Sequence, residues 1–417
     1  MTTAGVAAST SNAPSIGIAG QSAPARIASI DIFRGLTMAV MIFVNELAGV
    51  HGLPWWTYHA KASWNVMTYV DMVYPFFLFI VGLAIPFAIR ARLKKNPSKP
   101  ALWLHVLQRS ASLIVLGLIL ANADKVDHGR TGLSGSAWGL IALTGGVLFF
   151  NVYPASKRYA ALFRSLRVVG LALMVAMYAI FRRTTATGHA AWISGSYPEI
   201  LGLIGYTYLA VTALYLVTRR WLWAPLAWFV ALVALCAVAT VHWLNFPNTL
   251  PLYFWPFSNG SWACMTMGGV VTSAIFLGDH RWRTARQKMT LAVAFAVPVL
   301  ITGWLLTPLG ISKIRATPTW SLYSVGAAVL CFTLLYWLCD VKKRTAWAAI
   351  VRPAGANTLL TYLLPDFYDF LITLTGAVYF ESHFRMGWPG VVKSVVFTLF
   401  ILGVSTLLTR LRLRMQL

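Results

Sequence analysis

His59 and Asp71 stand twelve residues apart, the histidine in a short aromatic loop and the carboxylate just inside an apolar run. An imidazole held by a carboxylate is a general base, and that is the chemistry this spacing invites. His51, in the same loop, competes for the role. Other polar groups sit within apolar stretches: Asp31, Arg34, Asn45 and Glu46 before the loop, and Asn357, Asp366 and Asp369 late in the chain. Charged and amide groups at membrane depth are costly, so each is a candidate for function until a partner explains it. Asp31 and Arg34 share a helix face. They form either an intrahelical ion pair or a contact for an anionic group such as a diphosphate. Asn45 lies eleven residues after Arg34, roughly 16 Å further along the same helix. It is either an interhelical hydrogen bonder or a donor that polarises a carbonyl. Lys313 and Arg315 are basic residues in a loop otherwise poor in charge. They contact either headgroups or, in the outer half of a site, an anion or a carbonyl. Asn357, in a Gly-Ala-Asn step suited to close packing, is a further polar candidate. For Asp366 and Asp369 a proton relay is the alternative.

The elements that must position these groups are membrane spans. Of 417 residues, 58% are hydrophobic and 11% charged, where a soluble chain carries about a quarter charged. The fold class is therefore an all-α integral membrane protein, a polytopic bundle of about 10–12 helices in a lipid bilayer. Runs of about 20 apolar residues fall near 29–50, 66–89, 101–121, 136–153, 165–181, 198–218, 221–242, 261–278, 288–308, 319–339, 355–375 and 389–409. The fourth and eleventh are interrupted by glycine and polar residues. Residues 1–25, rich in Ala, Ser, Gly and Thr, read as a disordered cytoplasmic tail, and 26–417 as a single transmembrane domain.

Net charge is +23, which in a soluble chain would point to nucleic acid. Here the basic residues cluster in alternate loops. Arg90, Arg92, Lys94, Lys95 and Lys99 follow the second run, Arg219 and Arg220 the sixth, and Arg281, Arg283, Arg286 and Lys288 the eighth. Lys342, Lys343 and Arg344 follow the tenth, and Arg410, Arg412 and Arg414 close the chain. The asymmetry is topological. It excludes nucleic acid as a partner, puts both termini in the cytoplasm and faces the His59 loop outward. The opposite loops are aromatic, with Trp55, Trp56, the stretch Pro247–Pro256 and Pro318-Thr319-Trp320. They serve as interfacial anchors or as a carbohydrate-stacking surface. The four cysteines lie in apolar runs without metal-site spacing, and no metal is expected. No phosphate-binding loop or dinucleotide fingerprint is present.

Several blocks carry a family resemblance. They are Ser29-Ile-Asp-Ile-Phe-Arg34-Gly35, Phe43-Val-Asn45, Thr68-Tyr-Val-Asp71 through Pro75 to Gly82, Glu199 through Tyr206, Ser312-Lys313 with Thr317–Trp320, and Gly355-Ala-Asn357. Together they resemble the transmembrane acyltransferase family of heparan-α-glucosaminide N-acetyltransferase and its bacterial relatives. Those relatives carry a domain of unknown function and often accompany amino-sugar genes. The resemblance implies transfer of an acetyl group from cytoplasmic acetyl-CoA to the amine of a glucosamine-type sugar across the bacterial inner membrane. It places the family's outer-loop histidine at His59, with Asp71 and Asn45 beside it as catalytic residues. Arg34, Asn45, Lys313 and Asn357 become the acetyl-CoA contacts. One departure is local. The glucosaminide enzymes place histidine three residues before a tryptophan, where this chain has Lys61 before Trp64. A late histidine of the family is replaced here by Pro365-Asp366. The broader polysaccharide acyltransferases place histidine near Asn45 and match less well. The alternative reading is a secondary transporter for an amino sugar, against which the two halves show no clear repeat. Homo-oligomerisation is left open by the sequence.

Overall fold

The computed structural model describes residues 27–243, 259–277 and 283–415. The expected N-terminal tail, the Pro247–Pro256 loop and Arg281 lie outside the described residues. Among the described residues, twelve helices of sixteen residues or more occupy the twelve expected segments. They are α1 (Ala28–Leu47), α2 (Val70–Lys95), α3 (Lys99–Ala123), α4 (Gly135–Phe150), α5 (Ala160–Ile180) and α6 (Glu199–Thr218). Then follow α7 (Ala224–Thr240), α8 (Ser261–Leu277), α9 (Ala285–Leu305), α10 (Pro318–Tyr336), α11 (Thr358–Thr375) and α12 (Gly387–Arg410). Among the described residues, eight helices are long and apolar enough to cross a membrane, while α4, α7 and α8 are shorter apolar helices. The protein is a polytopic all-α membrane protein. The described strands are two-residue pieces, Arg183–Thr184 and Ala190–Ala191.

Side chains cannot be driven together by water inside lipid, so helices associate where backbones approach closely. The α2–α8 pair does this reciprocally. A Cβ on Gly82 would fall 1.7 Å from the Thr266 carbonyl oxygen, and one on Gly269 would fall 2.0 Å from that of Phe79. This contact fixes α2, the helix that carries Asp71. At the other end of the molecule, both carboxylate oxygens of Asp340 accept the Ala28 and Ser29 N–H groups, at 2.8 and 3.0 Å. A residue more than 300 positions away thus caps the start of α1.

The eleventh segment is broken at a polar residue near its glycine, as its composition implies. A short helix, Arg352–Ala356, ends at Asn357, and α11 begins at Thr358. Asn357 is buried. Its Nδ2 donates to Thr409 Oγ1 (3.0 Å) and to the Leu413 carbonyl (2.8 Å), and its Oδ1 accepts the Met415 N–H (3.1 Å). Those three bonds tie the chain after α12 to the break. Asn357→Leu leaves the Leu413 and Met415 backbone groups unmet. At about 1 kcal/mol or more for each bond lost, the variant should melt several degrees lower in detergent. An unchanged Tm would show that the tail does not brace the bundle.

Candidate active site

The loop between α1 and α2 is pinned around His59 on both sides. Tyr58 Oη donates to the Val50 carbonyl (2.7 Å), and the Tyr58 carbonyl accepts from Thr68 Oγ1 (2.8 Å). On the other side, the Ala60 N–H donates to Asp71 Oδ2 (3.2 Å). The imidazole between them meets Asp71 directly, with Nδ1 and Oδ1 2.8 Å apart. Asp71 also accepts the Thr68 N–H (3.0 Å) and the Thr68 hydroxyl (3.3 Å) through Oδ2. Its own carbonyl accepts Trp320 Nε1 (3.0 Å), which ties the first turn of α2 to α10. The carboxylate is therefore saturated and closed off, 0% exposed, while the imidazole is 45% exposed. Asp71 holds Nδ1, which leaves Nε2 as the ring nitrogen that can accept a proton. That is the geometry of an oriented proton acceptor.

A cation completes the group. Lys313 Nζ lies 3.1 Å from His59 Nε2 and 3.2 Å from Nδ1. Burial draws its ammonium below the ordinary lysine range, and the Asp71 charge opposes that draw. The loop before α10 is held against the His59 loop by Asn65, whose side-chain oxygen accepts the Ile311 N–H. Ser312 closes the same turn, its hydroxyl accepting the Arg315 N–H (3.3 Å). An ammonium beside the base can steady a negative oxygen developing on a substrate carbonyl. Around this group, Trp55 and Trp56 are exposed. Lys61 Nζ stands 5.4 Å from the Trp64 ring centroid, so Lys61 rests on an aromatic face rather than beside Asp71.

The other expected residues fall elsewhere. His51 pairs through its backbone with the segment before α12, its N–H donating to the Arg385 carbonyl (2.7 Å). Arg34 lies 3.8 Å from Asp31 and donates to the Gly355 carbonyl (3.2 Å), so the expected intrahelical pair is present. Asn45 makes no hydrogen bond with His59, Asp71 or Lys313. It lines a separate cavity with Glu46, Glu199, Asp366 and Asp369. Asn357 is buried and committed to the C-terminal segment, with both amide N–H groups engaged there. At the opposite end of α2, two cavities of about 420 and 440 Å³ share Arg219 and Arg220, with Lys99 on one and Arg90 and Lys94 on the other.

A family described as Domain of unknown function (DUF5009) matches residues 26–263, more than half of the chain. The chain belongs to that family. Human heparan-alpha-glucosaminide N-acetyltransferase is 38% identical to it over 101 residues, which is 24% of this chain and 14% of the human protein. The mouse protein of the same name is 36% identical over 99 residues, with the same shares. The chain thus matches only a small part of the length of these curated relatives. The DUF5009 match includes Arg34, Asn45, His59, Asp71 and Glu199, whereas Lys313, Asn357 and Asp366 lie beyond it.

Sequence reasoning did not assign roles to Thr68 or Asp340, and it read Trp320 with the outer-loop aromatics as an anchor or stacking ring, whereas Trp320 is buried in the first turn of α10. Thr68 stands three residues before Asp71 at the start of a helix, a spacing that favours such local capping bonds. Trp320 and Asp340 act across the bundle, and no local pattern marks them.

Proposed function

We propose that this DUF5009 protein is a membrane-embedded acetyltransferase. It moves an acetyl group from cytoplasmic acetyl-CoA to the amine of a glucosamine-type sugar on the periplasmic side of a bacterial inner membrane. Both termini are cytoplasmic in this reading. The observation that carries it is the His59–Asp71 couple with Lys313 over the ring. The likeness to the glucosaminide acetyltransferases supplies the reaction class. The arginine-bearing cavities at the far end of α2 suit the phosphates of CoA, since guanidinium groups pair with phosphate in two-point fashion. They offer several guanidinium and ammonium groups for that part, whereas Arg34 is a single cation partly engaged by Asp31 and the Gly355 carbonyl.

In the reaction, the acceptor nitrogen attacks the thioester carbonyl. His59 takes the proton released from nitrogen through its exposed edge, and Asp71 holds the ring. Lys313 faces the carbonyl oxygen as it becomes negative. The C–S bond then breaks, and the CoA thiolate leaves and takes up a proton. A route through an acetyl-histidine uses the same groups in two steps.

The test is acetyl-CoA binding and turnover with purified protein and its His59→Ala variant. Acetyl-CoA should raise the melting temperature of both, because a ligand of the folded state stabilises by mass action. Acetyl transfer to glucosamine should be lost only in the variant. The absence of a shift in either protein at millimolar acetyl-CoA would overturn the reading. Amino-sugar uptake into proteoliposomes without acetyl-CoA would instead favour a transporter.

A further inference from the structure

A groove of about 530 Å³ runs between α7 and α9, and none of the residues used for acyl transfer lines it. That volume is ordinary for a ligand pocket, roughly 300–1,000 Å³. Its floor is buried and comes from all four neighbouring helices, with Val271 on α8, Val299 on α9, Leu322 on α10 and Phe229 on α7. Phe229 meets Phe295 edge to face across the groove, ring centroids 5.4 Å apart. The walls include the exposed Trp223, Val230 and Ala294, so the groove opens sideways. Apart from the Trp223 indole and the Thr302 hydroxyl its lining is apolar, and no charged residue is part of it.

The depth and the charge at one end are informative. Along α9 the lining runs from Leu291 to Thr302, roughly 16 Å at the helical rise. That is about half of a hydrocarbon core of about 30 Å, the depth of one leaflet. The groove begins where α7 and α9 begin and where α8 ends, and cations stand at that end. Lys288 Nζ donates to the Phe276 carbonyl (2.9 Å), which sets an ammonium between the last turn of α8 and the first turns of α9. Two lining residues adjoin this bond: Ile275 precedes Phe276, and Leu291 lies one turn after Lys288 on the same helix face. Arg283 and Arg286 are exposed at the start of α9. Arg219 and Arg220 line the cavities toward α2 and α3 instead, and stay with the CoA phosphates.

A phospholipid has the matching shape and polarity. Its chain fills an apolar groove of one leaflet's depth, and its phosphate lies in the headgroup layer just beyond, where Lys288, Arg283 and Arg286 stand. Basic pockets between membrane helices hold anionic headgroups by the same attraction. A zwitterionic lipid offers the same chain but no net charge to answer the rim. We propose that the groove binds an anionic phospholipid, with an acyl chain between α7 and α9 and the phosphate at the basic start of α9. Which leaflet supplies it rests on the topology proposed above; the binding itself does not depend on the acetyltransferase reading.

The test uses the full chain, purified in neutral detergent and stripped of lipid. Thermal melts are followed as dioleoylphosphatidylglycerol or dioleoylphosphatidylcholine is added, since a ligand of the folded state raises the melting temperature. The anionic lipid should bind at least tenfold more tightly than the zwitterionic one. Ala294→Trp fills the groove from an exposed wall position and should weaken the anionic lipid tenfold or more. Arg283→Gln and Arg286→Gln should each weaken it by about fivefold and leave phosphatidylcholine unchanged. Mass spectrometry of the wild type needs no variant: phosphatidylglycerol should stay bound through detergent exchange, and phosphatidylcholine should not. Equal affinity or equal retention of the two lipids would overturn the proposal, as would unchanged phosphatidylglycerol affinity in Ala294→Trp. Stabilisation by glycerol 3-phosphate as strong as that by the lipid would make the rim a free-phosphate site and overturn the lipid assignment.

Discussion

Asp71→Asn should lower kcat for acetyl transfer by about 10²–10⁴-fold, the range ordinarily carried by a positioned proton acceptor. The substitution is nearly isosteric, so the fold should survive. The hydrogen bonding does not. Asp71 accepts from His59, from two backbone N–H groups and from the Thr68 hydroxyl. An amide has one acceptor oxygen and one donor nitrogen. If the oxygen keeps Ala60 and Thr68, the NH₂ group faces His59 Nδ1 and reverses the tautomer. The nitrogen on the exposed edge is then protonated and cannot accept a proton. His59→Ala should lose activity to a similar extent, and the double variant should be little worse than either single one, because the two residues act as a unit. Steady-state kinetics with purified protein measures all three. Full activity in Asp71→Asn would remove His59 from the mechanism. Additive losses would show that the two residues act separately.

The second large effect is on pH. Burial holds the Lys313 ammonium below the usual lysine range, so it discharges at a lower pH than an exposed lysine. Below its folded-state pKa, Lys313 is charged and can stabilise the developing oxyanion. Above it, that stabilisation is lost, and kcat should fall. Lys313→Arg cannot discharge in the accessible range, so the alkaline fall should disappear while activity at neutral pH is retained in part. Lys313→Met should lose both the alkaline fall and about 10²–10³-fold in rate, the scale for removing one donor to an oxyanion. The same shift has a stability counterpart. Between the folded and unfolded pKa values of Lys313, the unfolded chain binds more protons, so stability rises with pH across that window. A wild-type activity profile flat into the alkaline range, and unchanged in Lys313→Arg, would overturn the role.

The membrane class, the twelve helical segments and the His59–Asp71 couple were readable because each has a local signature. A span is a run of apolar residues. A loop histidine and a carboxylate in the first turn of the next helix are close in sequence and are pulled together by a short tether. Arg34 and Asp31 were readable for the same reason, through helix spacing. What was not readable depends on which helices neighbour one another. Asn45 and Lys313 were expected together as carbonyl contacts. The structure puts Lys313 at His59 and turns Asn45 towards Glu199 and Asp366, since the order of helices around α1 leaves no trace in periodicity. Asn357 was expected at the cofactor, yet its partners come from the last residues of the chain. Trp320 carries its indole N–H across the bundle to the Asp71 carbonyl, a contact that spacing along the chain does not reveal.

The distance along the chain between His59 and Lys313 bears on how the protein is made. The two residues are 254 positions apart, and the Asp340 cap on α1 arrives later still. At about 5–20 residues per second, a ribosome that has finished the first hairpin needs roughly 10–50 s more to deliver the lysine. Until then the imidazole and its carboxylate stand without the neighbouring cation, and the first turn of α1 must find its hydrogen bonds in water or headgroups. Any chain released early, by a stalled ribosome or a premature stop codon, carries the proton acceptor but not the charge that completes it. Such fragments would be silent, leaving quality control to remove them rather than any stray chemistry to be restrained.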